Sequence, residues 1–179
     1  MQALLSLSHG IDWISKKFGQ ACDYLVLLCA LISAGNAIVR YLFSMSSNGW
    51  LEIQWYMFGA IVLLGASHTL RMNEHVRVDI FYGALSERGR LWIDVIGIVL
   101  FLLPLSIYFA WLCWPFFYSS WSEGEQSLNA GGLIRWPVKF LLVFGFSLLA
   151  LQGVSELIKR IAALAGIERI DTTYEKPLQ

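Results

Sequence analysis

Tyr24-Leu-Val-Leu-Leu-Cys-Ala-Leu-Ile-Ser33 contains no charged side chain. Working outward, its apolar character extends over about residues 22–43, with Asp23 near one end and Arg40 near the other. A helix of that length, rising 1.5 Å per residue, crosses a hydrocarbon core of about 30 Å. Lys16 and Lys17 ahead of the run and the small triplet Ser33-Ala34-Gly35 also fit a cleaved signal peptide. The apolar sequence continues past that triplet, which favours an anchor.

Three further blocks follow the same pattern. The second covers about residues 50–70, with Glu52 near its start, His68 near its end, and Gly59, Gly65 and Ala66 between them. Such small residues let helix backbones approach closely. The third covers about 91–117 and includes Pro104, which removes a backbone donor and predicts a bend. The fourth, about 137–158, opens on Trp136-Pro137, where proline suits a first helical turn and Lys139 has room to snorkel outward. Tyr41, Trp50, Trp55, Trp92, Trp114, Tyr118, Trp121 and Trp136 mark the block ends, as expected of side chains at headgroup level. The fold expected is an all-α integral membrane protein with four transmembrane helices, one membrane domain over residues 1–179, and no internal repeat.

Composition agrees. Of the 179 residues 57% are hydrophobic and 15% charged, whereas a soluble domain carries about 25% charged residues. The 13 basic and 13 acidic residues cancel, so no overall field draws the chain to nucleic acid. Cys22, Cys29 and Cys113 lie in or beside apolar blocks without a paired motif and read as small buried hydrophobes.

Basic residues set the orientation. Lys16, Lys17, Arg71, Arg77, Arg88, Arg90, Lys159, Arg160, Arg169 and Lys176 fall on one side; Arg40, Arg135 and Lys139 fall on the other. Ten against three places both termini in the cytoplasm of a bacterium, with the chain multi-pass in the inner membrane.

The connection between spans two and three, about residues 75–88, has Val76, Ile80, Phe81, Ala84 and Leu85 at helical spacing, with Arg77, Asp79, Glu87 and Arg88 among them. That predicts a short amphipathic cytoplasmic helix, although His75-Val-Arg-Val-Asp-Ile80 also alternates as an extended segment would. The outward connection Ser119–Arg135, with Glu123, Glu125, Asn129 and Gly131-Gly132, reads as a turn-bearing loop. Residues 168–179 read as a mobile tail.

Candidate chemistry is sparse. Arg40 and Glu52 sit near the outer ends of consecutive spans, joined by the short linker Ser44–Gly49. Charges at membrane depth call for a partner, so they pair with each other, reach a partner protein, or snorkel to headgroups. His68, His75 and Asp79 repeat at helical intervals, but the second span ends between the two histidines and no further ligand joins them. Axial haem ligands, nucleotide loops, nucleophile elbows and matched broken helices are not visible, so no cofactor, metal or catalytic residue is expected. A freestanding homo-oligomeric channel would have to build its path from Arg40, Glu52 and His68.

The order Asn36-x-x-x-Arg40-Tyr41, Trp50-x-Glu52, a glycine-containing second span ending in Leu70-Arg71, then Glu74-His75-Val-Arg-Val-Asp79 resembles the small permease subunit of tripartite ATP-independent periplasmic (TRAP) transporters. The resemblance covers about residues 20–162, and Glu74–Asp79 is its most specific part. It implies a non-catalytic scaffold packed against a large membrane permease subunit. With a transient periplasmic substrate-binding protein, the pair would import an organic acid by symport down an ion gradient. It implies interface roles for Arg40, Trp50, Glu52, Arg71, His75, Arg77 and Asp79, and periplasmic docking roles for Asn129, Arg135, Trp136 and Lys139. The family often has two adjacent acidic residues where this chain has Glu52-Ile53, and the loop Ser127–Lys139 looks like a branch labelled mannitol or chloroaromatic transport. Besides those two proteins, the partner expected is membrane lipid.

Overall fold

In the computed structural model, which describes residues 2–45, 47–74 and 85–167, the apolar blocks form four helices. These are α1 (Gln2–Phe43), α2 (Asn48–Met72), α3 (Glu87–Ser122) and α4 (Trp136–Leu164), each long and apolar enough to cross a membrane. The all-α architecture expected from hydropathy is therefore found, and among the described residues the β-structure amounts to one isolated antiparallel bridge, Gln126–Ile134.

Helix α4 is the centre, packing against α1, α2 and α3, while α1 and α2 pack on each other. Burial follows the same order: 39% of the most apolar window of α4 lies inside the chain, against 28% for α2, 11% for α3 and none for α1. The outer halves of α1 and α3 thus present apolar surface outward, with Leu27, Leu31 and Ile107 all more than half exposed.

Close approach depends on glycine at two crossings. A Cβ on Gly145 would lie 2.7 Å from Leu63 Cβ and 3.0 Å from Leu63 O, so α2 and α4 touch backbone to backbone. A Cβ on Gly19 would overlap the His68 ring, which packs flat against α1. Between these crossings Cys22, Ala60 and Leu64 form the core with Phe18, Leu25, Leu141 and Phe144, and Phe18 meets Phe144 edge to face at 5.3 Å.

Helix α1 extends well before the expected first span. It is 42 residues long, about twice the length needed for the hydrocarbon core, and residues 22–43 are only its second half. Its first half buries Ser8, Ile11, Ser15, Gly19 and Cys22, a stripe at helical spacing made mostly of small and polar side chains. Mean hydropathy is blind to such a stripe, because it registers apolar residues and not a face that fits a neighbour. Helix α4 likewise continues past residue 158 to Leu164, so Lys159 and Arg160 belong to the helix.

The disturbance expected at Pro104 takes the form of a π turn, Ile98–Leu102, closed by the Leu103 N–H to Ile98 O. A wider turn makes room where proline lacks an N–H and would crowd the carbonyl four residues earlier. Pro115, not singled out from sequence, lies inside α3 without ending it.

Helix α2 ends on Asn73 in the left-handed region (φ 61°), with Asn73 N–H to Leu70 O and Glu74 N–H to Thr69 O, both 3.1 Å. Helix α3 starts on Ser86, whose Oγ accepts from the Gly89 N–H at 3.3 Å. Glu87 and Arg88, expected at the end of a separate amphipathic helix, are instead the first turn of α3. Residues 75–84 of that segment, with His75, Arg77 and Asp79, and the tail 168–179 lie outside the described residues.

Candidate functional site

Two polar assemblies close the bundle, one at each end. At the end formed by the α1–α2 and α3–α4 connections, Glu52 sits one turn into α2 and faces the α3–α4 loop. Its Oε1 accepts from Ser127 Oγ and, at 2.8 Å, from Asn129 Nδ2; its Oε2 accepts from the Leu133 backbone N–H at 2.7 Å. Asn48, at the start of the same helix, donates to Ala130 O at 3.0 Å. One carboxylate with three donors on both limbs of a loop acts as a clamp, since each bond to a charged acceptor is stronger than a neutral one. The loop supplies complementary order: Ser127 N–H to Leu133 O, Gly132 N–H to Asn129 O, and Gly131 at φ 70°, a turn conformation suited to glycine.

A second ionic knot lies beside it. Lys139, in the first turn of α4, pairs with Glu125 and lies 3.8 Å from the centre of the Phe116 ring; Arg135 Nη1 approaches Glu125 at 3.6 Å. Lys139 beside Glu125 holds its carboxyl below the ordinary range. Lys139 therefore turns back over the loop and does not snorkel away from it. Trp136 packs at an angle on Phe117, 6.5 Å between centres.

The structure does not bring Arg40 and Glu52 together. Glu52 spends its oxygens on the loop, whereas Arg40 lines a crevice with Ser33, Asn36, Tyr41, Leu51 and Gln54. Trp50 faces a neighbouring groove between α1 and the linker, lined also by Leu31, Gly35, Asn36, Val39 and Met45. Asn129 and Lys139, expected to dock a partner, are engaged internally. Arg71 lies at the far end of α2, its Nη2 3.4 Å from His68 Nδ1 and 3.1 Å from Met72 Sδ. Glu52's partners Ser127 and the Leu133 N–H were not anticipated, because nothing in a helix and a loop 75 residues apart announces that they meet.

The opposite end holds a larger network that the sequence reading missed. Fully buried Gln152 accepts from Ser15 Oγ at 2.7 Å and donates to Asp12 at 2.9 Å and Glu156 at 3.0 Å. Ser155 bonds Ser8 at 2.7 Å and Asp12 at 2.7 Å. Lys159 bridges Asp12 (2.9 Å) and Glu156, and Arg160 joins Glu156 to Asp94 of α3 at 2.9 Å. Three helices are thereby tied by charge. The signal available was Gln152, Ser155, Glu156, Lys159 and Arg160 at helical spacing across the end of the fourth apolar block, which marks one polar face.

Among the described residues no three His, Cys, Asp or Glu side chains are placed to hold a metal. Within the chain the two assemblies tie helix to loop and helix to helix. A family model described as the DctQ component of tripartite ATP-independent periplasmic transporters matches residues 28–163. The chain belongs to the DctQ family. No curated protein and no solved structure matches it. The DctQ match runs from the middle of α1 to the last turn of α4, so it includes the Glu52 clamp, the loop and the ionic residues of α4. Ser8, Asp12 and Ser15 precede the matched residues, and their bonds to Gln152, Ser155 and Lys159 tie the first half of α1 to the matched region. As a DctQ component it is a multi-pass membrane part of a transporter.

Proposed function

We propose that this chain is the small, non-catalytic scaffold subunit of a TRAP-type secondary transporter. In this reading it stands beside a large permease subunit in the inner membrane of a bacterium, with both termini in the cytoplasm. The large subunit carries the substrate and ion sites. Uptake is driven by an ion gradient, and the substrate is an organic acid delivered by a periplasmic binding protein.

The observation that carries the reading is the family match across all four apolar helices. Support comes from the distribution of burial: α4 is the chain's own core, while the apolar windows of α1 and α3 are left almost wholly uncovered, surface for lipid or a larger membrane partner. The polar groups support it too, because each assembly ties helix to helix or helix to loop.

The test is co-purification. Tagged protein extracted in mild detergent is expected to bring down one large polytopic permease in stoichiometric amount, and the pair reconstituted with the binding protein is expected to take up an organic acid. A homo-oligomer that carries substrate by itself overturns the scaffold reading in favour of a freestanding channel.

A further inference from the structure

Leu128 is 95% exposed, the most exposed large hydrophobic side chain among the described residues. A lone exposed leucine is ordinary on a protein surface and by itself means nothing. This one is set apart by its mounting. The residues on either side, Ser127 and Asn129, both donate side-chain hydrogen bonds to the same Glu52 oxygen, and the Asn129 N–H donates back to Ser127 Oγ at 3.3 Å. Further along, the Leu133 N–H donates to the other Glu52 oxygen, and Asn48 holds Ala130. The backbone is thus tied down on both sides of a side chain that touches almost nothing.

Fixing a loop before its side chain has a contact makes sense where the contact comes from another molecule, because order already present need not be imposed on binding. The surroundings say what kind of molecule. Leu128 lies on the loop beyond the ends of α3 at Ser122 and α4 at Trp136, so it is met from the aqueous side. The neighbouring Glu125, Arg135 and Lys139 are ion-paired with one another, which leaves an apolar projection on a polar surface.

We propose that Leu128 is the anchor by which this subunit engages an apolar socket on the water-soluble binding protein of its transporter, and that Glu52 is the positioning residue that presents it. The proposal rests on the scaffold reading above. It assigns contact to Leu128 and relieves Asn129 and Lys139 of that role, since Asn129 Nδ2 is spent on Glu52 and Lys139 Nζ on Glu125.

The test uses the reconstituted large and small subunits in proteoliposomes with the purified binding protein of the same transporter. Leu128→Asp is expected to raise the half-saturating concentration of binding protein about tenfold while the rate at saturation holds, and Leu128→Met to stay within about twofold. Glu52→Ala, with Leu128 intact, is expected to shift the half-saturating concentration in the same direction and leave assembly with the large subunit unchanged; Glu52→Gln, which keeps the oxygen acceptor, is expected to recover part of it. In a parallel arm, Leu128→Cys is expected to react with a membrane-impermeant maleimide and to be protected by saturating binding protein. Unchanged half-saturation in Leu128→Asp overturns the proposal. So does a residue 128 thiol that fails to react in the free transporter, which would place it in lipid or under the large subunit, or one that reacts equally with binding protein present. Absence of binding-protein-dependent uptake by the unsubstituted pair instead overturns the scaffold reading on which the proposal stands.

Discussion

Gly19 and Gly145 show how single atoms decide helix spacing, and in different ways. At Gly19 the obstacle is the His68 ring; at Gly145 it is the Leu63 Cβ and backbone. Forcing atoms into a filled interface costs about 1–3 kcal/mol, occasionally more. Gly19→Ala is expected to lower the unfolding temperature in detergent, with partial recovery when His68→Ala is added. Gly145→Ala is expected to be the more damaging, with no recovery from truncating Leu63, because a backbone cannot move aside without its helix. Equal damage with equal rescue would argue against this account.

Arg40 and Glu52 belong to the same scale. Since Glu52 is satisfied by three loop donors and Arg40 lies in a separate crevice, exchanging the two charges is expected not to restore the unfolding temperature lost on reversing Glu52 alone. Recovery by the exchanged pair, measured as unfolding temperature in detergent, would mean that the two do pair. Glu125 adds a pH dependence. Its carboxyl is held below the ordinary value of about 4.3, chiefly by Lys139, so its contribution to loop order is complete above that value and is lost as the pH falls through the lowered one. Amide exchange in residues 123–135 is expected to accelerate in that acid window. In Glu125→Gln the acceleration should be smaller, with exchange already faster at neutral pH, the remainder coming from protonation of the Glu52 carboxylate that clamps the same loop.

At the scale of elements, the unusual one is α1. Its outer half is apolar and uncovered, whereas its inner half is docked on α4 by hydroxyls, an amide and an ion pair. Gln152 is the hub, because it serves Ser15, Asp12 and Glu156 at once. Gln152→Leu removes those bonds at an expected cost of about 1–3 kcal/mol, since buried partners are left unsatisfied. Arg160→Ala is expected to cost at most about 3–5 kcal/mol, with Lys159 and Gln152 still facing Glu156. Limited proteolysis of α1 should accelerate in Gln152→Leu, whereas Arg160→Ala should chiefly loosen the start of α3, which Arg160 holds through Asp94. Proteolysis unchanged in both variants would leave the network without the tethering role.

For the whole molecule, the decisive feature is asymmetry of covering. One helix is the core, two present apolar faces outward, and each end is sealed by its own polar assembly. The orientation proposed from basic residues makes a direct prediction. A thiol placed by Glu123→Cys is expected to react with an impermeant reagent in intact cells, and one placed by Ala165→Cys only after the membrane is opened. The reverse result would invert the protein and remove the periplasmic role of the Glu52 loop.

The existence of four apolar helices was legible in the residues, because length and hydropathy are local properties that the membrane selects directly. The family was legible as well, through Trp50-x-Glu52 and the Glu74–Asp79 block, although His75, Arg77 and Asp79 lie outside the described residues. What each charge does was not legible. Glu52 finds Ser127 and Leu133, Lys139 finds Glu125, and Asp12 finds Lys159 across 147 positions of chain. Hydropathy also passed over the first half of α1, whose small, polar stripe acquires meaning only against the matching face of α4. The sequence by itself determined how many times the chain can cross a membrane; tertiary structure alone decided which charges meet, since pairing depends on distances that only packed helices set.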